Sequence, residues 1–410
     1  MKAVVISAAF PPLKTGGADF VHRMCSELIK HNVDIEVIGP DTGRSFDPAL
    51  KLHAIEGKWN WRAAQRCITL CRQLSPDVVD IVFTGWMYHD HPMITFLPTM
   101  IKKTCEGVRV VTHIESLGGI HREKSNVVRA SGRYIASWIV GRQHLNYEYG
   151  TLLRDSDAVV TLSDRDRLEL IRRDNDLEAK CVTIPPPPIM PVLPTLPATE
   201  RIRGRAQLGV TDEDALLSFY GYIYPGKGIE ILFEALQSAI NRGRKLKLLM
   251  VGDEPDAYVL ERERVPNYMV DLKKMTRRLG IENHVMWSNY EPYGSTEPSR
   301  KLHLSDICVF PFTSGLNLHN SSFWFAAAHG LPIIATRSAT TESDFVNREN
   351  VLFAQAQSSE DLAQKINDLC VDAALRKTLG ANVLELCVRK ASWDTFSNQL
   401  LNVFNNVCER

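Results

Sequence analysis

Seven prolines fall within the thirteen residues from Pro185 to Pro197. Proline fixes φ and has no N–H to donate, so this stretch can be neither a helix nor a central strand. It reads as a stiff linker, and the chain on either side must build its own core. A length of 410 residues fits that division, since single hydrophobic cores stop growing well below it.

Both flanks show one rhythm. Before the prolines, short apolar runs at Lys2–Ala8, Val33–Gly39, Val78–Thr84, Val108–His113, Ala158–Ser163 and Lys180–Ile184 alternate with amphipathic stretches such as Asp19–His31 and Trp61–Leu74. After them come Ala215–Tyr222, Leu246–Gly252, His284–Asn289, Ile307–Phe312, Leu331–Arg337 and Asn350–Ala354, with helical patterns at Ile229–Arg242, Val265–Leu279, Ser321–Ala328 and Ser359–Leu369. The runs are rich in β-branched residues, too short for helices, and several are apolar on both faces, as buried parallel strands are. Alternation of strand and helix predicts two doubly wound, Rossmann-like α/β halves. Ala391–Val407 reads as a final amphipathic helix.

Bulk charge and cysteines exclude several classes. Lys plus Arg and Asp plus Glu balance at 48 each, which argues against nucleic acid as a partner. Nine cysteines, an odd number with no small-domain framework, fit a reducing, cytoplasmic setting. Cys67 and Cys71 lie one helical turn apart and read as helix packing, not metal ligation. No run reaches about 18 uninterrupted apolar residues, so neither a signal peptide nor a membrane span is expected.

The chemistry-bearing loops follow strands. Phe219-Tyr-Gly-Tyr-Ile-Tyr-Pro-Gly-Lys-Gly228 runs from a strand into a helix and places Lys227 at the helix start. A cation beside a helix N-terminus is unfavourable by itself and makes sense with an anion, such as a diphosphate, between them. Thr313-Ser-Gly-Leu-Asn-Leu-His-Asn-Ser-Ser322 follows a second apolar strand. Gly315 permits close approach, Asn320 or Ser321 can cap the next helix and leave N–H groups for a phosphate, and His319 can add a charge or hydrogen bond.

Near the N-terminus, Phe10-Pro-Pro-Leu-Lys-Thr-Gly-Gly17 separates a strand from a helix, and Gly16-Gly17 allows a ligand close to the backbone. It lacks the G-x-G-x-x-G fingerprint, which rejects a dehydrogenase. His113 ends an apolar run and precedes Glu115. Trp86-Met-Tyr-His-Asp-His91 follows another strand and offers rings and polar groups suited to a sugar face. Asp164-Arg-Asp166 has a D-x-D pattern, but it follows Ser163 at a helix start, and Ser163 and Asp164 read as caps.

Taken in order, these residues resemble a GT-B fold glycosyltransferase, specifically the retaining glycosyltransferase family four. Pro11-Pro12…Gly16-Gly17, Asp157-Ala-Val-Val-Thr-Leu-Ser163, Gly221…Pro225-Gly-Lys-Gly228, Gly330-Leu-Pro-Ile-Ile-Ala-Thr336 and Ser392-Trp393 carry the resemblance over nearly the whole chain. Where the family usually has two glutamates eight positions apart, this sequence has Asn317 and Phe325, and Tyr222 stands where an arginine is usual.

The resemblance implies two Rossmann-like domains facing across a cleft, residues 1–188 with 391–410 and residues 201–390, joined by a linker at 189–200, with the C-terminal helix crossing back. It implies transfer of a sugar from a UDP- or GDP-linked donor to a glycan, lipid-linked or small-molecule acceptor, with retention and with no metal or other cofactor. Closure about the proline hinge would exclude water.

Lys227, His113 and His319 take the catalytic roles. Donor contacts fall to Gly16, Gly17, Tyr222, Gly226, Gly228, Gly252, Tyr290, Gly315, Leu316, Asn317, Asn320, Ser321 and Ser322. Acceptor contacts fall to Trp86, Tyr88, His89, Asp90 and Glu115. The missing glutamates and arginine motivate the alternative of a degenerate protein that binds nucleotide or glycan, or partners an active transferase. A nucleotide-sugar epimerase is a third reading. Basic residues beside Trp138 between Arg122 and Arg142 could touch a membrane surface or form a solvated helix face.

Overall fold

The computed structural model describes residues 1–41, 49–115, 117, 149, 151–255, 260, 265–288, 291–292 and 294–410. It divides into two compact units. One comprises Met1–Leu13, Gly17–Pro185 and Phe396–Arg410; the other comprises Lys14–Gly16 and Pro186–Thr395.

The sheet of the first unit holds β1 (Lys2–Ile6), β2 (Asp34–Pro40), β3 (Lys51–Ile55), β4 (Val78–Phe83), β5 (Arg109–Ile114), β6 (Ala158–Thr161) and β7 (Cys181–Thr183). Among the described residues their order is β3-β2-β1-β4-β5-β6-β7, and every pairing is parallel. Val4, Ile6, Val79, Ile81 and Val110 share a core with Cys67 and Cys71 of the helix Trp61–Leu74 and with Leu97 and Ile101 of the helix Met93–Thr104. The cysteines are thus packing residues, and burial pushes both thiol pKa values upward, Cys71 to about 12. Phe20 from the helix Gly16–Lys30, His113 from β5 and Phe396 from the helix Trp393–Cys408 meet ring to ring at 5.5 to 6.0 Å. The last helix therefore returns to the first unit through Phe396.

The second unit repeats the plan with β8 (Ala215–Tyr220), β9 (Leu246–Val251), β10 (Val285–Trp287), β11 (Ile307–Phe310), β12 (Ile333–Arg337) and β13 (Leu352–Gln355). Among the described residues their order is β10-β9-β8-β11-β12-β13, again parallel. The proline stretch is not a free tether. Leu193 donates its N–H to Ser299 Oγ at 2.8 Å, and His303 Nε2 lies 3.0 Å from the Leu193 carbonyl. Ser299 Oγ in turn lies 2.6 Å from Nε2 of His329, and burial lowers the pKa of that ring to about 4. The segment ends in a helix, Ala198–Gln207.

Each sheet has one point where strand order reverses: between β1 and β4 in the first, between β8 and β11 in the second. Crevices at such switch points, beyond the carboxyl ends of the strands, are where open α/β sheets bind ligands. The loops singled out from sequence, after β1, β4, β8 and β11, are the four that flank them. Among the described residues no helix is long and apolar enough to cross a membrane.

Candidate active site

In the second unit the two switch-point loops are tied together. Thr313 donates both its N–H (3.0 Å) and its hydroxyl (3.2 Å) to the Gly226 carbonyl. A Cβ added to Gly228 would lie 1.9 Å from the Pro311 carbonyl oxygen, and one on Gly252 would lie 2.0 Å from that of Gly221. With φ of +71° and +156°, both positions are closed to other residues. These approaches hold Lys227 at the start of the helix Ile229–Asn241, whose cap, Gly228, contributes no side-chain acceptor. The Lys227 ammonium rests 4.9 Å from the Tyr224 ring centroid and 5.0 Å from that of Phe312. Two aromatic faces therefore hold the cation in place without neutralising it.

The loop after β11 differs from its expectation. Leu316 N–H bonds the Thr336 carbonyl, Asn317 N–H the Asn320 side chain, and Leu318 N–H the Glu342 carboxylate. His319 N–H bonds the Asn317 side chain, Asn320 N–H the Asn317 carbonyl, and Ser321 N–H the His319 carbonyl. These six N–H groups are thus satisfied within the protein and are not an open phosphate nest. Burial is the reason for the first three: Leu316, Asn317 and Leu318 lie inside, where unpaired backbone groups are costly. Asn320 makes no side-chain cap on the following helix, Ser321–Ala327, because its carbonyl oxygen is turned back to Asn317. Ser322 is buried against Gly221, where a Cβ would lie 3.3 Å from its own. Phe325 packs on Tyr220 and His329. His319 is half-buried on the same loop.

In the first unit Gly17, the second residue of the helix Gly16–Lys30, lies under a roof. A Cβ there would lie 2.4 Å from Met87 Cε and 2.8 and 3.0 Å from the Glu115 carboxylate oxygens. At Gly16 a Cβ would meet nothing within 4 Å. Glu115 accepts the Thr84 hydroxyl at 3.2 Å, and enclosure of its carboxyl pushes the pKa up to about 7. Trp86 is half-buried nearby in sequence, and His89 and Asp90 are exposed on left-handed backbone.

Two expected contacts are core residues instead. Tyr88 is fully buried, and its hydroxyl donates to the Val82 carbonyl at 2.7 Å. His113 is fully buried against Phe20 and Phe396, and desolvation lowers its pKa to about 3, so the ring is neutral. β5 runs on through Ile114, so Glu115, not His113, is the residue at the strand exit. Tyr290 and the stretch Arg122–Arg142 lie outside the described residues. Asp164-Arg-Asp166 begins a helix capped by Ser163, whose Oγ accepts the Asp166 N–H at 3.2 Å.

Residues 214–372 match the family model described as glycosyl transferases group 1. The second unit carries a glycosyltransferase group 1 domain, and the chain has the GT-B fold. Over the full length, the chain is similar to an uncharacterized glycosyltransferase of Methanocaldococcus jannaschii, 22% identical with 100% of this chain and 99% of that protein covered. A D-inositol 3-phosphate glycosyltransferase of Stackebrandtia nassauensis is 25% identical over 63% of this chain and 56% of its own length.

Among solved structures, Anabaena HepE in complex with UDP and glucose superposes with a TM-score of 0.72 at 14% identity, covering 99% of this chain and 100% of that one. Sucrose-phosphate synthase from Thermosynechococcus elongatus gives 0.72 at 15% identity, with 99% of each chain covered.

Sequence reasoning assigned Thr313 and Met87 no role of their own within the loops it singled out, and it passed over Ser338 and Glu342. The last two sit just past β12, a strand exit like the others, and that position was the available signal.

Proposed function

We propose that the chain transfers a sugar from a UDP- or GDP-linked donor to a glycan, lipid-linked or small-molecule acceptor, with retention of configuration and without a metal. One observation carries this reading: Lys227, at the start of a helix that no side chain caps, beside the switch-point loop to which Thr313 ties its own. A diphosphate there answers both the ammonium and the positive end of the helix. Loss of the nucleoside diphosphate builds charge on the β-phosphate, and Lys227 is placed to stabilise it as it develops, with no metal required. Ser322, beside Gly221, supplies a hydroxyl. That Anabaena HepE, of the same fold, was solved with UDP and glucose supports a nucleotide-sugar donor. Glu115, with Trp86, His89 and Asp90, offers the acceptor a hydrogen-bond acceptor for its hydroxyl and a surface for its ring.

Thermal unfolding against UDP, GDP, ADP, dTDP and CDP tests the reading. A ligand bound only by the folded state adds about 2.7 kcal/mol at a hundredfold excess over Kd. A shift with UDP or GDP is expected, and no shift with any of the five overturns the proposal. The anomeric configuration of the product then tests retention, and full activity in EDTA tests independence from metal.

A further inference from the structure

The loop after β11 is fastened by a turn far from it in sequence. Residues Ser338–Glu342 follow β12 and meet the loop at three points. Gly315 sits on Ser338: a Cβ on the glycine would lie 2.6 Å from Ser338 Cβ and 2.7 Å from its N and Oγ. The Thr341 hydroxyl donates to the Leu316 carbonyl at 2.8 Å. The Glu342 carboxylate accepts the Leu318 N–H at 3.1 Å. The turn is itself rigid, because Ser338 N–H donates to Thr341 Oγ1 at 3.1 Å and Thr341 N–H to the Ser338 carbonyl at 3.3 Å. Every anchor thus bears on Gly315–Leu318, the stretch that leads to His319 and Ser322.

Neither side chain at 317 or 325 is available to a ligand as it stands. Asn317 is buried and accepts the His319 N–H, and Phe325 is buried between Tyr220 and His329. Bonds within Asn317–Ser321 shape the turn itself, and the Ser338–Glu342 turn fixes the Gly315–Leu318 stretch from outside the loop. We propose that Glu342 is a positioning residue for nucleotide-sugar binding: through Leu318, with Thr341 beside it, it pre-forms the donor loop before the ligand arrives. This rests on the donor reading of the second unit. A carboxylate suits the task because a charged acceptor strengthens the bond it makes to a backbone N–H. Preorganisation of this kind raises affinity by removing the ordering cost from the binding step.

The test compares Glu342→Ala, Glu342→Gln and Thr341→Val in the full chain. Hydrogen exchange of the Leu318 amide is followed without ligand, and the affinity for UDP and GDP is measured by calorimetry. Glu342→Ala should expose Leu318 to faster exchange and weaken the diphosphate that binds by about tenfold. Glu342→Gln, which keeps an acceptor oxygen, should restore most of both. Thr341→Val, which keeps the side-chain shape, should give a smaller loss in the same direction and serves if Glu342→Ala does not fold. Unchanged exchange at Leu318 overturns the anchoring. Faster exchange with unchanged affinity overturns the role in binding. A glutamine variant whose Leu318 amide exchanges as slowly as in the wild type but which binds diphosphate as poorly as the alanine variant overturns positioning, since the carboxylate charge would then act on the ligand directly. If the wild type binds no diphosphate while the exchange result holds, the donor reading has failed and the role in binding fails with it; the anchoring itself stands.

Discussion

Thr313 donates its N–H and its hydroxyl to one and the same oxygen, the carbonyl of Gly226. The two residues sit on loops 87 positions apart, after β8 and β11, on either side of the point where strand order reverses. Because Gly226 immediately precedes Lys227, the pair fixes where the cation stands. Thr313→Val keeps the backbone bond and the side-chain shape but loses the hydroxyl. Diphosphate affinity should fall by about 0.5–1.5 kcal/mol, with little change in Tm. Calorimetry checks the first and thermal unfolding the second; an unchanged Kd would mean that the hydroxyl has no part in placing Lys227.

Lys227 itself should matter for rate more than for stability. Its contacts with Tyr224 and Phe312 are worth about 0.5–1 kcal/mol at a partly exposed site. A preorganised group facing charge that develops on the leaving diphosphate is worth about 10²–10³ in kcat. Lys227→Ala should therefore unfold within a few degrees of the wild type yet lose transfer by about that factor. A variant that keeps full transfer removes Lys227 from the reaction.

The close approaches at Gly228 and Gly252 make a sharper claim. An alanine methyl at either position would overlap a carbonyl oxygen, at 1.9 and 2.0 Å, on backbone that L-residues avoid. Left-handed backbone costs a non-glycine residue about 1–2 kcal/mol, and overpacking adds about 1–3 kcal/mol. Gly228→Ala and Gly252→Ala should each lower stability by several kcal/mol, read as a fall in the denaturant midpoint. Gly16→Ala, where a Cβ meets nothing, should be silent on the same scale.

Much of the architecture could be read from the residues, and the reasons are local. Strands such as Val78–Phe83 and Ile307–Phe310 are apolar on both faces, a pattern that few structures other than a buried parallel strand accommodate. β3, Lys51–Ile55, was not legible: it is an edge strand with exposed and half-buried residues and carries no such run. The helix Ala373–Ala391 has scattered apolar positions and no clear stripe. At the site, Lys227 and its glycines were visible because glycine beside proline and lysine is a local signal. The fate of the loop N–H groups was not, because it depends on Glu342, 24 positions away. His113 misled for a related reason: only the packing of Phe20 and the distant Phe396 shows that its ring is enclosed.

The same packed face of the first sheet yields a prediction about pH. Asp80 lies in the middle of β4, fully buried, between Val5 of β1 and Val111 of β5. Cys25 on the helix Gly16–Lys30 feels its charge. Desolvation raises its pKa from 3.8 to about 7, so the folded state holds a proton that the unfolded chain has released. Stability from this group is full below about pH 4 and is lost as pH rises toward 7, by about 1.4 kcal/mol per unit and about 4 kcal/mol in all. Asp80→Asn carries no such proton. The variant should therefore be more stable than the wild type at pH 8, and the advantage should vanish or reverse at pH 4. His113, lowered to about 3, loses stability in the opposite direction, as pH falls below 6.5. It is present in both proteins and cancels from the difference. Denaturant unfolding of wild type and variant at pH 4, 6 and 8 measures that difference. A difference that stays flat across the three would mean that water reaches Asp80 in the folded protein.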